Sequence, residues 1–286
     1  MPDSEFSFAS AVDRFPLHGY AWRARGNPRA LVAVSHGAAE HALRYERFAR
    51  SLGDAGFETF ALDQRGHGRS PGPDGLGDFG AGGWAALVAD IGQLIAYARA
   101  TRPGVALALF GHSMGSFAAQ QFCFSESHAC DALVLSGSTA FDLSASGGAL
   151  PAFTPNQAFE PARTAYDWLS RDPVEVDKYV ADPLCGFETQ RGRQPGAGID
   201  FAKLGDLRGI AGIRADLPVL LVAGDEDPLN AKLAGLRLLE KRWRDAGVKR
   251  IDTRYYTGGR HEMLNETNRD EVTRDIVAWL GLTLGR

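Results

Sequence analysis

The sequence predicts an α/β fold: a mostly parallel sheet flanked by helices, broken by one irregular insertion. Three observations carry that prediction. From residue 30 onward, short apolar runs rich in β-formers alternate with segments whose apolar residues recur at helical spacing. Between Gly137 and Asp216 the rhythm stops and prolines recur, at Pro151, Pro155, Pro161, Pro173, Pro183 and Pro195. At Pro218 it resumes and continues to about Leu280. A length of 286 residues suits one large core, and 44% hydrophobic with 23% charged residues is ordinary for a globular chain.

The elements follow in order. Residues 30–35 (ALVAVS) read as a strand ended by His36-Gly37, and helical spacing follows over 45–52. Residues 57–62 (FETFAL) give the next strand. Trp84, Leu87, Val88, Ile91, Leu94 and Ile95 put one apolar face on a helix over 84–100. Residues 105–110 (VALALF) are apolar throughout, as a strand buried on both faces must be. A helix runs on through Phe117, Gln120 and Phe124, and 132–135 gives another strand. Within the insertion only short helices fit, such as one over 174–180. The strand PVLLVAG, a helix to about Trp243, the strand IDTRYY and a final helix complete the chain. Residues 1–136 and 217–286 are therefore expected to form the core. Residues 137–216 are expected to form a helical cap, or lid, because long irregular segments in compact domains are usually functional or disordered.

The chemistry starts at Phe110-Gly111-His112-Ser113-Met114-Gly115, a G-x-S-x-G pattern between an apolar strand and a helix. Such a turn is tight, so Gly111 and Gly115 supply room that a Cβ would fill. Ser113 is thereby held at the sheet edge, facing the N-terminus of the next helix, whose free N–H groups favour developing negative charge. A serine hydroxyl needs a base, and the base needs a third group to orient it. On this kind of turn the acid and then the histidine follow in the chain. Of the seven histidines only His128 and His261 follow Ser113. His128 precedes any later strand, whereas His261 lies in the loop between the last strand and the last helix, where the base belongs. The acid should follow PVLLVAG, and Asp225 and Asp227 both do. Pro228 biases Asp227 towards an extended backbone, but spacing alone does not separate the two. For the oxyanion, one N–H donor should be Met114. The second should come from the loop Ser35-His36-Gly37-Ala38-Ala39-Glu40-His41, where Gly37 lets the backbone turn and Ala38 is the candidate donor.

With these residues in place, the chain resembles the monoacylglycerol lipase and lysophospholipase branch of the α/β-hydrolases. The similar segments are VSHGAAEHALRYERFA, LDQRGHGRS, FGHSMGS, GDEDPL and GGRHEMLNE, together with LSRDPVEVDKYVADPLC in the insertion. The resemblance implies an eight-stranded sheet with a first antiparallel strand and a cap that shapes an acyl-chain tunnel. It implies Ala38 and Met114 as oxyanion donors, and Asp227 as the acid through a G-x-x-D match at Gly224 to Asp227. It further implies that Glu40, Arg44 and Tyr179 contact glycerol hydroxyls. The other reading of these three is a Glu40–Arg44 salt bridge bracing the loop and Tyr179 packing in the cap. Two departures stand out. Leu264 occupies the place of a second histidine in animal enzymes, and residues 137–161 are less apolar than a strongly membrane-docking lid.

The function expected is thus ester hydrolysis through an acyl-enzyme, on a monoacylglycerol or, next, a lysophospholipid or short-chain ester. A small acyl ester or lipid is the expected partner. The rivals are other chemistry on the same fold and a non-catalytic ligand receptor. A net charge of -4 argues against nucleic acid. No cofactor is needed, and a metal enzyme is disfavoured because HExxH and clustered His or Cys spacings are missing. Cys123, Cys130 and Cys185 are odd in number and lack CxxC spacing, so three ordinary thiols are expected. The N-terminus MPDSEFSFAS lacks the basic and apolar runs of a secretory signal, and no window approaches a membrane span. A cytoplasmic location is expected, with at most peripheral membrane contact through the cap. No oligomeric state is specified.

Overall fold

Apolar runs bounded by turns become the centre of the sheet. A computed structural model of the chain describes residues 1–141, 154–187 and 198–285. The prolines at 151 and 195, and the parts of the expected lid at 142–153 and 188–197, lie outside the described residues. In chain order the elements are β1 (Ser4–Ala9), β2 (Pro16–Trp22), β3 (Ala30–Ser35), α1 (Glu46–Asp54), β4 (Phe57–Asp63), α2 (Gly83–Thr101), β5 (Leu107–His112) and α3 (Met114–Glu126). They continue with β6 (Ala132–Ser136), α4 (Pro173–Ala181), α5 (Leu207–Ala211), β7 (Val219–Gly224), α6 (Ala234–Asp245), β8 (Ile251–Tyr256) and α7 (Arg269–Leu284). The eight strands lie in the order β1-β2-β4-β3-β5-β6-β7-β8, and every pair from β4 to β8 is parallel.

The sheet corrects one expectation. The strand that runs against the others is the second, because β2 pairs antiparallel with both β1 and β4. The cause is local. Residues 10–15 form a tight connection in which the Ser10 N–H donates to Phe15 O (2.8 Å) and the Arg14 N–H to Ser10 O (2.9 Å). A hairpin makes its two arms antiparallel, so β1 regains the direction of the parallel set.

Side chains alternate across each strand and feed two cores. Leu31, Ala33, Leu107, Leu109, Leu133 and Leu135 pack against α2, α3 and α6. Val32, Val34, Ala108, Phe110, Ala132 and Val134 pack against α1 and α7. On α2 the expected apolar face is the buried one, through Leu87, Ile91, Leu94 and Ile95. Each such side chain contributes about 1.5–3 kcal/mol on burial. α2 stops where Pro103 disfavours helical backbone at Arg102, which adopts φ -141° and ψ 73°.

The insertion leaves the sheet after β6 and re-enters at its neighbour β7. Its described residues contain no strand, only α4, α5 and 3₁₀ turns. Leu169, Tyr179 and Cys185 form a small separate cluster with Tyr166 and Trp168. Leu204, Ile210 and Ile213 instead join the core beside α3 and α6. Among the described residues no helix is long and apolar enough to cross a membrane. Cys123, Cys130 and Cys185 are all free and buried.

Candidate active site

Strand β5 continues two residues past the expected end, through Gly111 and His112, which pair with Leu135 and Ser136. Helix α3 begins at Met114, so Ser113 alone makes the turn, with φ 50° and ψ -120°. A left-handed φ on a residue with a Cβ costs about 1–3 kcal/mol. The surroundings hold it there. The Ser113 N–H donates to Ser136 O (2.9 Å), and Ser116 Oγ donates to Ser113 O (2.6 Å). A Cβ on Gly111 would lie 2.6 Å from Gly115 O, and one on Gly115 would lie 2.0 Å from Ser35 O. Both glycines are thus required for room.

Residues from two later loops meet beside this turn. His261 Nδ1 is 2.9 Å from Asp227 Oδ2, and both side chains are fully enclosed. Asp225 does not reach the imidazole and accepts the Gly258 N–H instead (2.7 Å). The His261 ring lies between His112 and Trp168, at centroid distances of 4.9 Å and 4.8 Å. Burial opposes charge on this imidazole, but the Asp227 carboxylate and its hydrogen bond, then Glu262 and Glu40, outweigh burial and raise its pKa. His112 moves the other way, to about 4, through burial and then the nearby His261. Ser113 Oγ and His261 share no hydrogen bond in this structure, and such pairs often tighten only around substrate.

The loop after β3 faces Ser113 from the other side. A Cβ on Gly37 would lie 3.3 Å from the Ser113 Cβ and 2.7 Å from Glu40 Oε1. Gly37 is therefore needed for space, and the left-handed residue of this loop is Ala39, with φ 51°. Gln64 N–H donates to His36 Nε2 (2.9 Å), which leaves Nδ1 to donate to Gly37 O (2.8 Å). Burial depresses the His36 pKa to about 4, so this ring works as a neutral strut. The Ala38 N–H donates to no described residue, and the Met114 N–H opens a helix and has no intrahelical acceptor.

Glu40, Arg44 and Tyr179 come together, bonded to one another and to the protein. Glu40 accepts from the Gly37 N–H, from Tyr45 OH (2.8 Å) and from Arg44 Nη1 (2.6 Å). Arg44 lies over the Tyr179 ring at 4.8 Å, and Tyr179 OH donates to Ala39 O (2.8 Å). The insertion adds backbone bonds: the Gly186 N–H to Ala39 O (2.9 Å), and the Glu262 N–H to Leu169 O (2.8 Å). Among the described residues, His41, Asp182 and Cys185 bring metal-binding atom types within 4.8 Å of one another. There His41 Nε2 and Asp182 already share a 2.9 Å bond that ties the insertion to the loop.

Similarity to known proteins identifies the family. The profile of the family described as serine aminopeptidase, S33, matches residues 26–268. The chain belongs to this α/β-hydrolase family. A monoacylglycerol lipase of Mycolicibacterium smegmatis is 34% identical over 97% of this chain and 96% of its own. The monoglyceride lipase of Homo sapiens is 31% identical, covering 91% of this chain and 84% of its own. A carboxyl esterase of Bacillus coagulans, solved with glycerol, superposes with a TM-score of 0.86 at 25% identity, over 99% of each chain.

Sequence reasoning about this hydrolase missed Trp168, His112 and Glu262. Trp168 reaches His261 from the insertion, and nothing in its local sequence signals that. His112 and Glu262 flank Ser113 and His261 in the chain, so adjacency was the available signal.

Proposed function

We propose that this chain hydrolyses monoacylglycerol to fatty acid and glycerol through an acyl-enzyme on Ser113. The 2.9 Å bond between His261 and Asp227, beside the strained turn at Ser113, carries the reading. It is the arrangement that turns a serine hydroxyl into a nucleophile. His261 takes the hydroxyl proton as Ser113 attacks the ester carbonyl. Asp227 holds Nδ1–H, so Nε2 is the basic nitrogen, and it stabilises the imidazolium. The N–H groups of Ala38 and Met114 receive the oxyanion, each worth on the order of 10²–10³ in rate. His261 then protonates the leaving alcohol, and water releases the acid by the same route.

The lipase relatives supply the substrate class, a small lipid ester. Residues 137–216 are the cap in this reading, and the exposed Val174 and Val180 on α4 and Leu207 on α5 suit peripheral membrane contact through it. Three free cysteines suit a reducing compartment such as the cytoplasm. The test is fatty-acid release from monoacylglycerol and lysophosphatidylcholine of matched chain length. Ser113→Ala should cost roughly 10⁶ in turnover. Residual activity near wild type would defeat the assignment of Ser113. Turnover of an aminoacyl nitroanilide but of neither lipid would favour the peptidase chemistry in the family's description.

A further inference from the structure

We infer that Glu262 is a positioning residue: by gripping Arg44 with both carboxylate oxygens, it fixes the loop bearing Ala38 against the loop bearing His261. The inference rests on the roles proposed above for Ser113, His261 and Ala38. Glu262 follows His261 directly. Its Oε1 accepts from Arg44 Nη1 (2.6 Å) and its Oε2 from Nη2 (2.7 Å). The same Nη1 donates to Glu40 Oε2 (2.6 Å), and Glu40 Oε1 accepts the N–H of Gly37, the residue before Ala38. An unbroken chain of charge-assisted bonds therefore runs from the residue after the base to the oxyanion loop. It is closed to solvent, since the side chains of Arg44, Glu40 and Glu262 are only 11%, 4% and 7% exposed.

Stability alone is a poor account of this cluster, because desolvation of buried charges largely offsets their attraction. A forked guanidinium–carboxylate pair does something apolar packing does not: it sets distance and orientation together. Binding of a head group is also a poor account. All four carboxylate oxygens already accept, and Glu262 Oε2 takes a further bond from Asn265 Nδ2 (2.9 Å). Two carboxylates around one guanidinium leave a net negative charge near His261, and Glu262 and Glu40 both favour its protonated form.

Glu262→Gln keeps the shape but loses the fork. Steady-state kinetics should be measured on a monoacylglycerol and on the methyl ester of the same acid, together with the affinity of an alkyl boronic acid that forms a tetrahedral adduct at serine. The expected result is a fall in kcat of about ten-fold or more on both esters, with KM within about two-fold and boronate affinity falling in step. Arg44→Lys, which keeps charge but cannot fork, should lose a similar amount, and the double variant should lose no more than either alone. If Glu262→Gln does not fold, Arg44→Lys carries the comparison of the two esters. Unchanged kcat, a loss confined to KM for the glycerol ester, or losses that multiply would each overturn the inference. A wild-type protein that a fluorophosphonate fails to label at Ser113 would overturn the proposed function with it.

Discussion

Gly115→Ala sets two physical effects against each other. Gly115 is the second residue of α3, and replacing a helical glycine with alanine normally stabilises by about 1 kcal/mol. Here the new Cβ would sit 2.0 Å from Ser35 O and 2.5 Å from His36 O. A relaxed carbon–oxygen contact needs about 3.3 Å. The start of α3 and the end of β3 must therefore part by about 1.3 Å, and both sides are backbone. Overpacking costs about 1–3 kcal/mol, and rigid neighbours put this case at the upper end. Set against the gain of about 1 kcal/mol, the net loss is about 2 kcal/mol, and at roughly 2–4 °C per kcal/mol the melting temperature should fall by about 4–8 °C. The same movement separates the Met114 N–H from the Ala38 N–H, and an error of about 1 Å costs about 10² in rate. Calorimetry and initial rates on a soluble ester test both numbers. Gly281→Ala is the control, since it too is a helical glycine, in α7, but the nearest atom to the added carbon is Arg29 Nη2 at 4.0 Å. A Gly115→Ala protein as stable and active as wild type would refute the steric argument.

Three further predictions follow from the geometry. Asp227→Asn should lower turnover about 10⁴-fold, because the amide orients the wrong imidazole tautomer, while Asp225→Asn should cost far less; comparable losses would undo the assignment. The acid limb of kcat/KM should titrate above 6.5, because His261 must be neutral to act as base and the Asp227, Glu262 and Glu40 carboxylates outweigh burial and raise its pKa. The raised pKa also means that this group's contribution to stability is complete below 6.5 and is lost as pH rises through the folded value. A pH–rate profile with its acid limb below 6.5 would contradict that sign. Arg65→Met should destabilise by about 3–5 kcal/mol in urea melts. The Arg65 side chain is completely enclosed and holds Asp13 and Asp90, at 2.9 Å and 2.8 Å, whose charges would be left unpaired.

The core strands were legible because each is an unbroken apolar run with a turn at its end, as in β3 and β7, buried at every position. β1 and β2 were not. β1 is half exposed, and β2 contains His18 and Gly19, so neither stands out from loop. The end of β5 was read two residues early, since Gly111-His112 has no strand character of its own and is held by pairing to β6. At the site, chain order pointed to Ser113 and His261. Asp225 and Asp227 are separable only by where each side chain ends up, and Gly258 takes the first while His261 takes the second. Glu262 and Arg44 are 218 positions apart, so no local pattern could join them.

The bonds from Gly186 to Ala39 and from Glu262 to Leu169 are made by main chain alone. A main-chain bond survives most changes of side chain, so these two anchors persist where residues of the insertion other than those that bond through side chains, such as Tyr179 and Asp182, are replaced. A chimera that imports a relative's insertion should keep the reaction if the donor supplies carbonyl and N–H groups at these two points and keeps glycine at 186, where φ is 59° and a Cβ would lie 2.7 Å from Tyr166 OH.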